Sequence, residues 1–468
     1  MLTNKKEYTI LQQREVYMKT YSVKLMSVLT AVTVLAGTLA GCGSGSSGAG
    51  ASAAGSSKAS GSAKSAGITL TFGSHQSGLP TSGIVQQLAS DFEKETGIKI
   101  DFQISPDDQW RDLLKVKEQS GEVPDIFCAD TTNSLATTIN PEKYCEDLTD
   151  QSWVSRIDKD VVPAVSVNKK VYGITFPGKK MYFYVYNKDI FDQCGIKSVP
   201  TTYAELKQDC ETIKSKMPGV TPIYEATTDG WHQVLPVMEN SGIYLKDAPD
   251  LFKELNANTK KLQDIPKMKT VLEELQECAK AGYFGSDYLS NATTDAKEAM
   301  AGGKAAMYIA ESAFRNEITA DYSDCKINFG IFVQPWGDNQ TIGVNPASNA
   351  YFISKNSKHV DACKKFFEYL ARPENLQKRL DGQPGLSELC WPEIKGKYSE
   401  EDQKYIKAHD TSTVMQIGTN YIDFQFMDIG KDIESMYTGA MTPDGVIKSA
   451  EDRRGQQAKL QKDPAFTK

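Results

Sequence analysis

Residues 43–48 read Gly-Ser-Gly-Ser-Ser-Gly, the spacing at which a glycine turn can bring backbone N–H groups onto a dinucleotide pyrophosphate. That chemistry needs a strand before the turn and a helix after it. Neither flanks these residues, so the match is accidental. The run GGKAAM, 302–307, sets a lysine behind two glycines, yet it lacks the upstream glycine and the following Ser or Thr of a phosphate-cradling loop. No GxSxG nucleophile elbow and no HExxH zinc helix occurs. Two carboxylates flanking a sugar can in principle perform glycoside hydrolysis, and a bare sequence leaves that class open. The tyrosines at 182, 184 and 186 share one strand face and would suit a hard cation if carboxylates joined them. What remains conspicuous is one thiol, Cys42, standing where an apolar run dissolves into glycine, serine and alanine.

Lys19 and Lys24 precede an uncharged run from Leu25 to Ala40, the charge-then-apolar order of a secretory signal. The run is shorter than the roughly 20 apolar residues that cross a bilayer, and it ends in small side chains. Its close, Leu39-Ala40-Gly41-Cys42, resembles the lipobox of bacterial lipoproteins, which implies acylation of Cys42 and removal of residues 1–41. Arg14-Glu15-Val16 is what a ribosome-binding sequence would encode, so Met18 is the expected true start. Residues 42–67 then read as a lipidated, flexible tether.

The body from Ile68 to Lys468 is long enough for two domains. Residues 1–41 hold five of the 53 Lys/Arg and two of the 60 Asp/Glu, so the remainder has 48 basic and 58 acidic side chains, a net charge of −10. That acidity argues against a nucleic acid held by bulk electrostatics. Eight cysteines besides Cys42 make an even number, but Cys210, Cys278 and Cys363 fall on apolar helix stripes and Cys128 ends the buried-looking strand PDIFCAD. We read them as mostly free, buried thiols rather than a disulfide framework. No CxxC pair and no Cys/His cluster with zinc spacing occurs, and neither a metal nor a cofactor is expected.

These residues must be positioned by alternating strands and helices. ITLTF, then a helix with Val85, Leu88 and Phe92 on one face ending at Gly97, then the alternating run IKIDFQI make one βαβ unit. A second helix ending at Gly121 leads to the strand Asp125–Ala129, which predicts a parallel sheet covered by helices. Thr202-Tyr-Ala-Glu205 is a capping box opening another helix. Further helices are expected from roughly Pro266 to Ala281 and through VDACKKFFEYLARPENLQKRL, with Pro373 starting a fresh turn.

The order FEKETGIKI, VPDIFCAD, VYGITFPGKKMYFYVYNKDIF, VPTTYAELKQDC, GGKAAMYIAESAF, AYFISKNSKHVDACKKFFEYL and MTPDGVIKSAEDR resembles the extracellular solute-binding proteins of ATP-driven importers, in their maltose and oligosaccharide branch. The resemblance implies an α/β fold of two discontinuous lobes joined by a multi-strand hinge, type II among periplasmic binding proteins. The expected division is 68–178 plus 312–346 for one lobe and 179–311 plus 347–468 for the other. Crossings are expected near Phe176–Met181, Tyr308–Phe314 and Asn345–Ala350.

The implied function is a lipid-anchored, monomeric, non-enzymatic receptor on the outer face of the cell membrane. It would capture a carbohydrate between its lobes and deliver it to membrane permease subunits, without nucleic-acid partners. A sugar asks for aromatic rings against its C–H face and polar side chains on its hydroxyls. The resemblance places such groups at His75 and Gln76 after the first strand, and at Asp130 and Thr132 after PDIFCA. It adds Lys180, where the maltose-binding branch has an acidic contact, and Tyr182 two residues on, both at the first crossing, with Asp229 and Trp231 in the second lobe. Glu311, Trp336, Asn345 and Phe426 complete the set, the last within an aromatic cluster Phe424-Gln425-Phe426. A non-sugar cargo is the alternative: ferric ion on the tyrosine run, or a polyamine on Asp130, Asp229 and Glu311. Lys180 would oppose either cation. A surface glycoside hydrolase is the remaining alternative.

Overall fold

The computed structural model describes residues 67–131, 135 and 139–467. The signal segment, Cys42, the tether and Thr132 therefore lie outside the described residues.

The opening strand–helix–strand unit forms as its sequence signals indicate. Ile84–Thr96 is helical between Gly83 and Gly97, both in the left-handed region, and it buries Ile84, Val85, Leu88, Ala89 and Phe92 along one stripe. That helix returns the chain so that strands Thr69–His75 and Lys99–Ser105 pair in parallel, and Ile126–Asp130 joins on the other side of the first. Two more strands complete a five-stranded sheet, Asn349–Ile353 and Gly173–Thr175, both antiparallel to their neighbours. The parallel sheet expected from sequence is thus extended by antiparallel strands into a mixed one.

The second lobe is built on four strands in the order 329–332, 183–187, 305–310, 221–223, with only the last pair parallel. Its helices follow their sequence signals. Tyr203–Lys216 starts in a capping box, Thr202 Oγ1 accepting from the Glu205 N–H at 3.2 Å while Glu205 Oε2 accepts from the Thr202 N–H at 3.3 Å. Pro266–Ala281 ends at Gly282 in the left-handed region, with Met268, Val271, Leu272, Leu275 and Cys278 inward. All eight cysteines of the described residues are free, seven of them buried.

The lobe division differs from expectation. Residues 312–346 carry the helix Phe314–Asp321 and the strand Phe329–Phe332, which belong to the second lobe. The strand Asn349–Ile353 and the helices Val360–Leu370 and Pro373–Asp381 belong to the first. No crossing occurs at Tyr308–Phe314, where Glu311–Ala313 is a strand-to-helix turn within one lobe. Crossings lie at 176–182 and at 345–348, and a third lies at 395–399, since Trp391 and Ile394 pack in the first core and Tyr398 against the second.

Candidate functional site

A sheet's loops gather where its strands end, and the first lobe presents Asp130 as the last residue of the strand Ile126–Asp130. The next residue is locked to the second crossing. Thr131 donates from its N–H and its Oγ1 to the Ser348 carbonyl at 2.8 and 2.9 Å, and the Ser348 N–H donates back to Oγ1 at 2.9 Å. His75 ends the neighbouring strand, and its buried Nε2 stands 4.0 Å from Asp130 Oδ1.

The hinge supplies the middle of the site. Lys180 and Asn345 pair as an isolated bridge, each N–H donating to the other's carbonyl at 2.8 and 3.0 Å. Side chains of extended segments alternate, so the two crossings sort their residues by parity. Lys180, Tyr182, Asn345 and Ala347 face a cavity of about 190 Å³ between the lobes. Lys179, Met181, Val344 and Pro346 face a larger cavity of about 700 Å³ behind the hinge. The smaller one carries the rings and strand-end polar groups, so it is the candidate site.

The second lobe closes the cavity with Trp231, Leu235, Glu239, Gln416, Asp423 and Phe426. Trp231 arrives on a loop whose Gly230 has φ 77° and whose Asp229 is tied down, Oδ2 accepting from the Thr293 N–H at 2.6 Å. The loop rests directly on the helix Phe426–Tyr437. A Cβ on Gly430 would lie 1.6 Å from the Gly230 carbonyl oxygen, and Gln233 Nε2 donates to the Gly430 and Thr227 carbonyls, each at 3.1 Å. This docking brings the Trp231 and Phe426 rings to one cavity. Gly430→Ala should therefore push the loop off the helix, destabilising the fold by about 1–3 kcal/mol and weakening ligand binding though residue 430 is remote from the ligand. Denaturant unfolding and titration calorimetry of the variant check both effects.

Lys180 stands among carboxyl groups, Asp130, Glu239 and Asp423 on the cavity wall and Glu311 within reach of its charge. Burial pushes the Glu239 carboxyl up to about 7, moderated by the hydrogen bond from Gln416 and by the Lys180 charge. Glu311, just past the strand Ala305–Ala310, is likewise raised to about 7 by burial, with Lys180 again opposing. The same physics governs stability. Glu225, which accepts from the Tyr437 hydroxyl at 2.9 Å, is raised by burial to about 8. Unfolding returns these acids to the ordinary range near 4.5, so above that value the folded chain holds protons that the unfolded chain releases. Stability must fall as pH rises through the raised values. Buried His232, depressed to about 4, acts oppositely, but only below its ordinary 6.5. The melting temperature of the ligand-free protein is therefore expected to be higher at pH 6.5 than at 8.5, by the equivalent of a few kcal/mol. Thermal melts across that window test the sign.

Of the residues named from sequence, Asp130, Lys180, Tyr182, Trp231, Asn345 and Phe426 meet at this cavity. His75 backs Asp130, Asp229 anchors the Trp231 loop, and Glu311 acts on the cavity through its charge. Gln76 is exposed in the turn Gln76–Gly78 and does not line it. Trp336 corrects the sequence reading. It is fully buried in the second core, its ring 5.8 Å from Tyr203 and 6.3 Å from Tyr184, because the turn after Pro335 folds inward under two helices. Tyr184 and Tyr186 also pack on Phe332, so the tyrosine run does not converge on the cavity as an iron site would require. Sequence reasoning missed Glu239 and Gln416. The signal for the first was a lone carboxylate interrupting the apolar run Val234–Met238.

Residues 78–377 match the family model described as bacterial extracellular solute-binding protein. The chain is 24% identical to a maltooligosaccharide ABC transporter solute-binding lipoprotein of Streptococcus pneumoniae strain R6, over 64% of this chain and 67% of that protein. It is also 24% identical to the melibiose/raffinose/stachyose-binding protein of Bacillus subtilis strain 168, over 68% and 73% of the two chains. Among solved structures it resembles a sugar transporter protein of Bacillus licheniformis in complex with stachyose (23% identity, TM-score 0.68, 82% and 98% covered). It also resembles a chitin oligosaccharide binding protein (17% identity, TM-score 0.69, 83% and 98% covered). These likenesses show the two-lobed fold.

Proposed function

The chain belongs to the bacterial extracellular solute-binding proteins, and from that premise we propose that it captures a carbohydrate in the interlobe cavity and hands it to the permease of an ATP-driven importer. Members of the family bind solutes for transport and are not enzymes. The observation that carries the carbohydrate reading is the composition of one cavity. Trp231, Phe426 and Tyr182 offer rings, while Asp130, Asn345, Glu239, Gln416 and Lys180 offer hydrogen-bonding groups of both polarities. A neutral polyhydroxylated ligand uses both kinds. The relatives named for maltooligosaccharides and for raffinose-type sugars point the same way.

Asp130 and Thr131 come from the first lobe, and Trp231, Glu239 and Phe426 from the second, with the Lys180–Asn345 bridge between them. A ligand touching both sides favours closure by its differential affinity for the closed state, the form a permease would read. Calorimetric titration with maltotriose, raffinose, stachyose, xylotriose and chitotriose tests the reading. Binding of at least one is expected, and binding of none overturns the carbohydrate assignment.

Anchoring belongs to the same proposal. The Leu39–Cys42 motif and the lipoprotein relative support acylation of Cys42 on the outer face of the membrane, where a tether raises the effective concentration of a monomeric receptor near its permease. Cys42→Ser is expected to abolish labelling by a palmitate analogue and to release the protein from the membrane fraction. Retention of an unlabelled variant would contradict the anchor.

A further inference from the structure

Two acceptor atoms on the cavity wall have no hydrogen-bond partner among the described residues. Glu239 and Gln416 both line it and are only 2% and 6% exposed. In the ionised form of Glu239 both oxygens accept, so Gln416 Nε2, 2.9 Å from Oε1, is the donor and the amide turns its NH₂ toward the acid. That leaves Glu239 Oε2 and Gln416 Oε1, both buried and both without a hydrogen bond. Folded proteins leave few such groups, and each calls for a water, an ion or a ligand.

The Glu239 backbone is held in place. The Glu239 N–H caps the short helix Leu235–Met238 by donating to the Leu235 carbonyl at 2.9 Å. Its own carbonyl abuts Gly343 so closely that a Cβ there would lie 2.2 Å away. The following residue, Asn240, accepts from Asn339 Nδ2 at 3.0 Å. The Glu239–Gln416 bond orients the two side chains toward each other and leaves the other oxygen of each open to donors from a ligand.

We propose that the Glu239–Gln416 pair is the specificity-determining contact of this site, accepting hydrogen bonds from two neighbouring hydroxyl groups at one end of the bound carbohydrate. The inference rests on the carbohydrate reading and adds to it a requirement at one position. An ether, carbonyl or carboxylate oxygen has no proton to give there. An ammonium group would meet Lys180, whose charge acts on Glu239 from the hinge. The titratable groups around the pair are Lys180 and Tyr182 from the first crossing, Glu311 beyond the strand Ala305–Ala310, and Asp423 and Asp130 on the cavity wall. With the Glu239 carboxyl near 7, hydroxyl donors favour its ionised form, so binding at neutral pH should expel a proton.

The experiment compares wild type with Glu239→Gln, using whichever of the five panel sugars bind. The substitution keeps shape and removes a buried charge, and a thermal melt verifies the fold. The expected results are two. Affinity falls by roughly ten- to a hundredfold, as for loss of hydrogen bonds to a charged acceptor. Titration at pH 7 in two buffers of different ionisation enthalpy shows proton release for wild type and less for the variant. Equal affinity with equal proton release, while wild type binds a sugar, overturns this contact and leaves the carbohydrate reading standing. A wild type that binds none of the five overturns both.

Discussion

Trp231→Ala is expected to weaken sugar binding by at least about thirtyfold, roughly 2 kcal/mol, because it removes the largest ring of the cavity wall. Trp231 is half-buried, packed at the margin of the second core and otherwise lining the cavity. Its indole is supplied to the cavity by a loop fixed before it, through Asp229 to Thr293 and Gly230 against Gly430, and after it, through Gln233 to the Gly430 carbonyl. Binding should therefore bear most of the loss, since the ring is not sealed inside the core. Titration calorimetry reads the affinity and urea unfolding the stability. Unchanged affinity would remove the aromatic wall from the account.

Trp336→Ala should do the reverse. This side chain is 0% exposed beneath Tyr203 and Tyr184 and lines no part of the cavity. Truncating a fully buried tryptophan removes its transfer free energy and leaves a void, a loss of about 3–5 kcal/mol. The variant is expected to unfold at lower urea concentration yet, where still folded, to bind sugar as wild type does. Together the two tryptophans separate wall from core. A large affinity loss in the folded Trp336 variant would show that the second lobe transmits packing changes to the site.

Why one tryptophan was legible and the other not follows from local signals. Trp231 comes after Thr228-Asp229-Gly230, a turn that remains a turn at φ 77°, and a residue past such a turn stays near the surface. Trp336 also follows a turn residue, Pro335, but its burial depends on the helices Tyr203–Lys216 and Pro266–Ala281, far away in sequence. The same contrast runs through the fold. Helix ends at Gly97 and Gly282 and the cap at Thr202 are written locally, and the structure places them there. Which lobe receives Asn349–Ile353 is decided by its pairing with Ile126–Asp130, more than two hundred residues earlier, and no local pattern encodes that choice. Asp130 stood out as a polar residue ending a strand, whereas Lys180, Tyr182 and Asn345 were reached only through the crossings that the resemblance implied. Gln416 was not, since its role comes from facing Glu239 across a tertiary contact.

The central claim is that ligand in this cavity draws the two lobes together about the Lys180–Asn345 bridge. Small-angle X-ray scattering of the protein with and without a saturating panel sugar tests it most directly. The account predicts a smaller radius of gyration in the bound state, and the same sugar should leave Trp231→Ala unchanged at concentrations too low to bind it. Full calorimetric binding to wild type with an unaltered scattering profile would contradict closure.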